Sequence, residues 1–285
     1  MLLRSPRVAV TGWAASCWRG ATWVDGTRAD GSPLPVDLAS NDTVLKAQGS
    51  FRLSQERVDP RRFEVVDGLR VTSAADAVCF TLRHAASLEE AVVGLDMTYH
   101  ADLVTPSDVL DTLEAGTRRQ GHDQALAAWR LGDENAWSPQ EVRVRLAWRR
   151  LDGTRALSNR PVFDLDGQHL ATPDLLDPAT GVAVEYDGDV HLTRARRRRD
   201  LAREQRLRDH GLEPVTLVAG DLPSGGGGAV LAERIATARA RAARLPASER
   251  RWTLEPPAWW VPTHTVSRRR ALTGGERAAW LGTRH

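Results

Sequence analysis

The second half of the sequence alternates helix-type and strand-type patterns, and this alternation limits the folds that the chain can adopt. Ser138-Pro139-Gln140-Glu141 combines a capping box with a proline at the first helical position, and it predicts a helix that runs to about Arg150. From this helix onward the predicted order of elements is α-β-β-β-α-β-α. This order predicts a mixed sheet flanked by helices. The predicted strands are 161–165, 169–176, 182–187 and 214–219, and the later helices are 194–210 and 229–245.

The first half has a different rhythm, with short strands followed by helices. The alternating stretch from Phe63 to Val71 predicts two strands joined by a turn at Asp67-Gly68. From Thr72 onward, helix signals dominate, including a capping box at Ser87-Leu88-Glu89-Glu90. We therefore predict an α/β fold, α+β overall, with three regions. These are a strand-plus-helix region at 1–135, the alternating domain at 136–245 and a basic, Trp-rich tail at 246–285.

Composition excludes several classes of protein. Cys17 and Cys79 are the only cysteines, so the sequence holds neither a disulfide framework nor a cysteine zinc cluster. No run reaches the ~18 apolar residues that span a bilayer, which argues against a membrane partner. The first ten residues lack the apolar region of a secretory signal, so we expect a cytoplasmic protein.

Charge is distributed unevenly along the chain. Residues 1–191 carry 20 basic and 28 acidic side chains, whereas residues 192–285 carry 19 and 9. Lys46 is the only lysine, and the other basic residues are arginines, whose forked guanidinium suits phosphate. A basic C-terminal third indicates a nucleic-acid partner. A GC-rich genome would also enrich arginine over lysine, so composition alone leaves both explanations open.

Three carboxylates are expected to meet on one face of a predicted hairpin. If the turn centres between Ala179 and Thr180, Asp174 lies across from Glu185, and Asp187 projects from the same face as Glu185. Like charges placed opposite each other destabilise a sheet, and a divalent cation such as Mg²⁺ or Mn²⁺ would offset their repulsion. Solvated acids on an exposed face are the simpler alternative.

The same residues carry a family resemblance. Pro173-Asp174, ten further residues, and then Glu185-Tyr186-Asp187 resemble the PD-(D/E)XK nuclease signature, with Asp187 in place of the usual lysine. The signature continues to His191 and is followed by an Asp200-x-x-Arg203 motif. The combined motifs resemble the very-short-patch-repair (Vsr) endonuclease-like domain over about residues 136–222. This resemblance implies a restriction-endonuclease-like fold. Residues 37–135 resemble the region before this domain in chains often labelled AbiEi-type antitoxins, although residues 1–36 lack a recognisable winged helix.

The resemblance implies a hydrolytic site that uses Mg²⁺ or Mn²⁺. Asp174 and Glu185 would hold the metal, aided by the carbonyl of Tyr186. Glu141 would reach a second metal or a metal-bound water, although the capping box alone explains a glutamate there. His191 would serve as general base or be merely structural. Either Asp187 is a further ligand and His191 moves the proton, or the site is catalytically weak.

Arginines cluster directly after this motif. They predict contacts with the phosphates of a nucleic-acid backbone, DNA above all, although a charge run is also typical of a solvated helix face. Arg203 would join them or pair with Asp200 along the helix. The predicted nucleic-acid-binding residues are Arg194, Arg196, Arg197, Arg198, Arg199 and Arg203.

The tail carries Trp259-Trp260 and Arg268-Arg269-Arg270, which either stack on unpaired bases or pack the tail onto the protein.

Three functions remain open at this point. The first is a metal-dependent DNA endonuclease, a hydrolase. The second is a non-catalytic, antitoxin-like DNA-binding regulator that retains the nuclease fold, with the N-terminal region available for a protein partner. The third is a folded protein whose acids bind a structural cation.

Overall fold

A computed structural model describes most of the chain and divides it into two compact units. The first unit comprises Met1–Glu134 and Thr265–Ala271, and the second comprises Asn135–His264 and Leu272–His285. The fold is mixed α/β, as the sequence predicts. The described residues are 7–28, 31–40, 49–54, 56, 58–116, 119–187, 194–221 and 228–282, with side chains omitted at 152, 194–200, 219 and 282.

The first unit begins with a five-stranded mixed sheet in the order β3-β2-β1-β5-β4. The central strand β1 runs parallel to β5 and antiparallel to β2. The hairpin between β4 and β5 turns at Asp67 and Gly68, both with positive φ, which confirms the predicted turn. The strands are β1 (Val8–Thr11), β2 (Val36–Ser40), β3 (Phe51–Ser54), β4 (Phe63–Val66) and β5 (Leu69–Thr72).

Helices complete the first unit, and side-chain caps begin three of them. Ser73, Ser87 and Thr105 each accept a hydrogen bond from a backbone amide in the first turn, which fixes where α2, α3 and α4 begin. The helices are α1 (Gly12–Trp18), α2 (Ala74–His84), α3 (Leu88–His100), α4 (Pro106–Glu114) and α5 (His122–Leu131).

The second unit contains two small sheets. A four-stranded sheet has the order β11-β10-β9-β6, with β10 parallel to β11, and a three-stranded sheet has the order β12-β7-β8. The strands are β6 (Leu157–Ser158), β7 (Val162–Asp164), β8 (His169–Ala171), β9 (Leu175–Leu176), β10 (Val182–Asp187), β11 (Glu213–Val218) and β12 (Trp252–Thr253). The helices are α6 (Pro139–Asp152), α7 (Arg194–Asp209) and α8 (Gly228–Ala242).

Strand β10 lies between helices on both of its faces. Val182 and Val184 belong to one apolar cluster with Trp148 of α6 and Leu231 of α8. Ala183, which points the other way, belongs to a second cluster that includes Leu207 of α7. Because neighbouring residues of a strand alternate between its faces, Glu185 and Asp187 project from the same face as Ala183, towards α7. The predicted sheet flanked by helices is therefore confirmed for this unit.

The tail is divided between the two units. Helix α9 (Val266–Arg270) belongs to the first unit, and helix α10 (Gly274–Gly282) belongs to the second. Within the first unit, Arg269 is fully buried. Its guanidinium donates to the carboxylate of Asp102 and to the carbonyl of Tyr99, both over 2.7 Å.

None of the helices in the described part of the chain is both long and apolar enough to cross a membrane.

Candidate active site

The hairpin between β9 and β10 positions the first two acids of the site. Leu175 pairs with Val184 and Leu176 with Ala183, so the turn centres between residues 179 and 180, as the sequence predicts. Asp174 and Glu185 are the next residues in this register. The backbone amide of Tyr186 donates to Oδ2 of Asp174 over 2.7 Å, which holds the Asp174 carboxylate against β10 at its polar end.

Asp174 has an unusual protonation equilibrium. Burial disfavours its charged form, the charges of Glu141 and Glu185 disfavour it further, and the pKa rises from 3.8 to about 7. The Tyr186 amide and the Arg203 guanidinium act in the opposite direction but do not compensate. The three acids come from α6, from the residue before β9 and from β10. The carboxylates of Glu141 and Glu185 are each close enough to repel that of Asp174, as the sequence predicts for Glu185.

Glu141 is held by more than its helix cap. Its backbone amide donates to the Ser138 hydroxyl, which is the predicted cap. Its carboxylate accepts from the backbone amide of Trp137 over 2.8 Å and from the side-chain amide of Asn159 over 2.6 Å. A capping glutamate would turn back to the N-cap residue alone. The additional bond to Asn159 fixes the buried Glu141 carboxylate beside Asp174.

Asn159 is a functional-site residue that the sequence reasoning missed. It adopts a positive φ of 45°, which asparagine tolerates better than most residues. Its side-chain amide also donates to the carbonyl of Asn135, and the Asn135 side chain donates back to the Asn159 carbonyl. The Asn159 backbone amide donates to the Asp174 carbonyl. No periodic pattern marks this residue, and the asparagine ahead of Pro161 is the only local signal in the sequence.

Arg203 of α7 forms a forked ion pair with Glu185. One guanidinium nitrogen lies 2.5 Å from Oε1 and another lies 2.7 Å from Oε2, so both carboxylate oxygens are engaged. A bidentate arginine–carboxylate pair is stronger and more directional than a single contact. The sequence suggested phosphate contact or a pair with Asp200 for this arginine. Its guanidinium compensates the charge of Glu185; the phosphate contact stays a prediction, and the Asp200 side chain lies outside the described residues.

The remaining predicted site residues fall into two groups. Asp187 is half-buried and shares a face of β10 with Glu185, as the sequence predicts. His191 lies outside the described residues. The other predicted arginines belong to helix α7, but their side chains are outside the described part of the structure. They are Arg194, Arg196, Arg197, Arg198 and Arg199.

Oxygen ligands of the kind that Mg²⁺ and Mn²⁺ prefer are present at this site. Asp174 and Glu185 are two carboxylates in one strand register, and the negative charge that helps to raise the Asp174 pKa would also attract a cation. Among the described residues, however, no group of three or more His, Cys, Asp or Glu side chains is arranged to hold a metal ion. The oxygen donors are therefore of the right chemical type for a divalent cation. Their arrangement among the described residues is not that of a metal site.

Comparisons with protein-family models, with curated proteins and with solved structures found no match for this chain.

Proposed function

We propose that the second unit is a metal-dependent endonuclease that hydrolyses phosphodiester bonds in DNA and has a restriction-endonuclease-like fold. The observation that carries the proposal is the register of the β9–β10 hairpin, which places Asp174 opposite Glu185, with the charge of Glu141 also acting on Asp174. Burial and the repulsion among these acids raise the pKa of Asp174 to about 7. An arginine-rich helix, α7, supplies the opposite charge that a DNA backbone requires.

The site residues divide into those that would hold the cation and those that support them. Asp174 and Glu185 would hold Mg²⁺ or Mn²⁺ together with the Tyr186 carbonyl, and the bound cation would polarise the scissile phosphate and acidify a water. The Asn159 amide keeps the Glu141 carboxylate beside Asp174. Because the pKa of Asp174 is near 7, ionising this carboxyl costs little at slightly alkaline pH.

Proton transfer is assigned to His191, whose imidazole titrates near neutral pH. Asp187 occupies the position at which the nuclease signature has lysine. In this proposal its carboxylate adds to the negative charge that attracts the cation. The arginines of α7 would bind phosphates in a way that depends on salt and tolerates any sequence. DNA would therefore be held by its backbone beside the carboxylates.

A non-catalytic DNA-binding regulator is the second candidate, and one specific observation favours it. The Arg203 guanidinium already compensates Glu185 through two hydrogen bonds, and Asp174 can compensate itself by keeping a proton. Such a site needs no metal to be stable. The absence of the signature lysine points in the same direction.

Nicking of supercoiled plasmid in the presence of Mg²⁺ or Mn²⁺ separates the two functions. We expect nicking that stops in EDTA and that falls by roughly 100-fold or more in Glu185→Gln, since even outer-shell changes at metal sites cost about 10–100-fold. Asp174→Asn should behave in the same way. Glu204→Gln removes a charge of the same kind from α7 outside the carboxylate site, and it should nick like the wild type.

DNA binding by the wild type and by Glu185→Gln decides between the nuclease and the regulator. If the wild type does not nick but the wild type and Glu185→Gln bind DNA with equal affinity, the nuclease proposal is wrong and the regulator takes its place. Metal-dependent nicking that survives both Glu185→Gln and Asp174→Asn would place the activity elsewhere in the chain or in a contaminant. Full-length protein is used throughout, because neither unit has been shown to fold alone.

A further inference from the structure

Two consecutive tryptophans of the second unit form part of an aromatic cluster on the three-stranded sheet. The cluster, called the aromatic ledge here, consists of Phe163, His169, Trp259 and Trp260. Trp260 lies nearly parallel to the His169 imidazole, with 5.2 Å between ring centroids and 23° between the planes. Phe163 is fully buried beneath them and contacts Trp260 edge-on at 5.0 Å. Trp260 thus packs onto its own unit.

Trp259 differs from its neighbour because most of its indole faces solvent. Its ring contacts Phe163 at 6.1 Å and Trp260 at 5.6 Å, both edge-on, yet 60% of the residue remains exposed. Val261, two residues further along the chain, is also exposed. An indole has a large apolar face, and leaving it in water forgoes burial worth about 1.5–3 kcal/mol for a large apolar side chain.

The backbone around the ledge is fixed, so the rings are already arranged for a ligand. Trp252 and Thr253 pair with β7, which contains Phe163. Pro257 packs so closely on the hairpin turn that a Cβ added to Gly167 would lie 3.2 Å from the Pro257 Cβ. A rigid aromatic platform loses little conformational entropy when a planar partner stacks on it.

Positive charge lies near the ledge. Burial lowers the pKa of His169, and the charges of Arg203 and Arg206 lower it further, so both guanidinium groups act on this ring. Both influences disfavour the protonated form of this ring. Arg203 is also the arginine that binds Glu185, so one side chain lies within electrostatic range of both the ledge and the carboxylate site.

We propose that the aromatic ledge binds the unpaired bases of single-stranded DNA, with Trp259 as the stacking surface and Arg206 facing the phosphates. The proposal deepens the proposed function, on which it rests for its nucleic-acid partner, by assigning a substrate that contains single-stranded DNA. Bases in a duplex are already stacked and offer no free face to an indole. Nearby guanidinium groups favour an anionic strand over an apolar protein surface or a second copy of this chain.

Fluorescence anisotropy with a labelled oligothymidylate and a duplex of the same length tests the ledge, in EDTA so that no cleavage occurs. Stacking on an aromatic side chain is worth about 1–3 kcal/mol per base, so we expect Trp259→Ala to weaken binding to the single strand by roughly tenfold or more. Duplex affinity should not change. Trp259→Phe should retain most of the single-strand affinity, since a phenyl ring also stacks.

Trp23→Ala is the matched control, because Trp23 is a similarly exposed tryptophan in the first unit. It should bind both probes like the wild type. The proposal is overturned if Trp259→Ala binds the single strand normally, if its affinity for both probes falls equally, or if the wild type binds neither. A change from dimer to monomer in Trp259→Ala on size-exclusion chromatography would assign the ledge to self-association instead.

Failure of the ledge can be told apart from failure of the nuclease. If Trp259→Ala binds the single strand like the wild type while metal-dependent nicking is intact, the ledge alone is refuted. Normal stacking by Trp259 in a protein that never nicks plasmid refutes the nuclease alone. Because the binding measurement contains no metal, neither result depends on the other.

Discussion

Asp174 shows how strongly a single residue depends on its neighbours. Burial and the charges of Glu141 and Glu185 raise its pKa from 3.8 to about 7, so the folded protein holds a proton that the unfolded chain has already released. Between those two pH values the folded state binds more protons than the unfolded state. The free energy of unfolding should therefore fall as the pH rises through this range and change no further above it.

Replacing this carboxyl by an amide removes the dependence on pH. Asp174→Asn keeps an oxygen that accepts from the Tyr186 amide but cannot ionise, so it should be more stable than the wild type at about pH 8 and closer to it at about pH 5. The stability advantage of Asp174→Asn is expected to be roughly 2–3 kcal/mol larger at the higher pH than at the lower. Urea unfolding in EDTA at both pH values measures it. Asp209→Asn, at the exposed end of α7, should show no such difference; equal behaviour of the two variants would contradict the Asp174 assignment.

Arg203 and a metal ion would compete for the same oxygens of Glu185. Both oxygens are already engaged by the guanidinium, so a cation can bind only if at least one of those hydrogen bonds breaks. We expect Arg203→Gln to bind Mn²⁺ about twofold to fivefold more tightly, because a partly exposed ion pair is worth only about 0–1 kcal/mol. Isothermal titration calorimetry gives the affinity, with Arg206→Gln as control. Weaker Mn²⁺ binding by Arg203→Gln would show that Arg203 instead orients Glu185 for the metal.

At the scale of elements, helix α7 packs on its unit through Leu207 and is rich in charged residues. Its 16 residues include eight arginines and three acids. Mutating Arg198 and Arg199 together to glutamine should weaken DNA binding without regard to sequence. The slope of log affinity against log salt should fall by about 0.9 for each phosphate that the variant no longer neutralises. Arg251→Gln, which removes an exposed arginine elsewhere in the same unit, should leave the slope unchanged. An unchanged slope in the double variant would mean that α7 is only a solvated helix.

Local signals predicted elements well where the relevant contacts are close in sequence. Strand β10 has the predicted bounds, Val182–Asp187, and the register of its hairpin with β9 follows from the turn alone. Helix α6 begins at Pro139, where the proline and the preceding cap predict it. These features depend on neighbours within a few residues, which a sequence pattern reports directly.

Predictions were incomplete or wrong where distant residues decide the structure. The predicted strand 169–176 is two strands, β8 and β9, that belong to different sheets, and Pro173 between them lacks the amide that a continuous ladder needs. Strand β1 and helix α1 were missed, because β1 is held by pairing with β2 and β5, both of which lie further along the chain. The bonds of Arg203 to Glu185 and of Asn159 to Glu141 likewise join separate elements, so spacing gave no sign of either.

At the scale of the whole molecule, the segment 265–271 is part of the first unit's structure. Helix α9 belongs to that unit, and Val266 donates its backbone amide to Glu134 while Arg269 binds Asp102 and the Tyr99 carbonyl. A basic triplet that bound nucleic acid would be exposed along its length. Arg269 is instead fully buried, so its charge serves the folding of residues far away in sequence.

Removing this buried cation should therefore destabilise the first unit. Arg269→Ala leaves the Asp102 carboxylate without its partner, and breaking a buried pair in this way costs about 3–5 kcal/mol. Arg269→Lys should recover only part of the stability, because an ammonium cannot make the forked contact. Urea unfolding followed by circular dichroism measures both, and Arg268→Ala, the exposed neighbour, should unfold like the wild type. If Arg269→Ala is as stable as Arg268→Ala, the segment 265–271 does not contribute to the stability of the first unit, and a chain ending at His264 should then keep that unit intact.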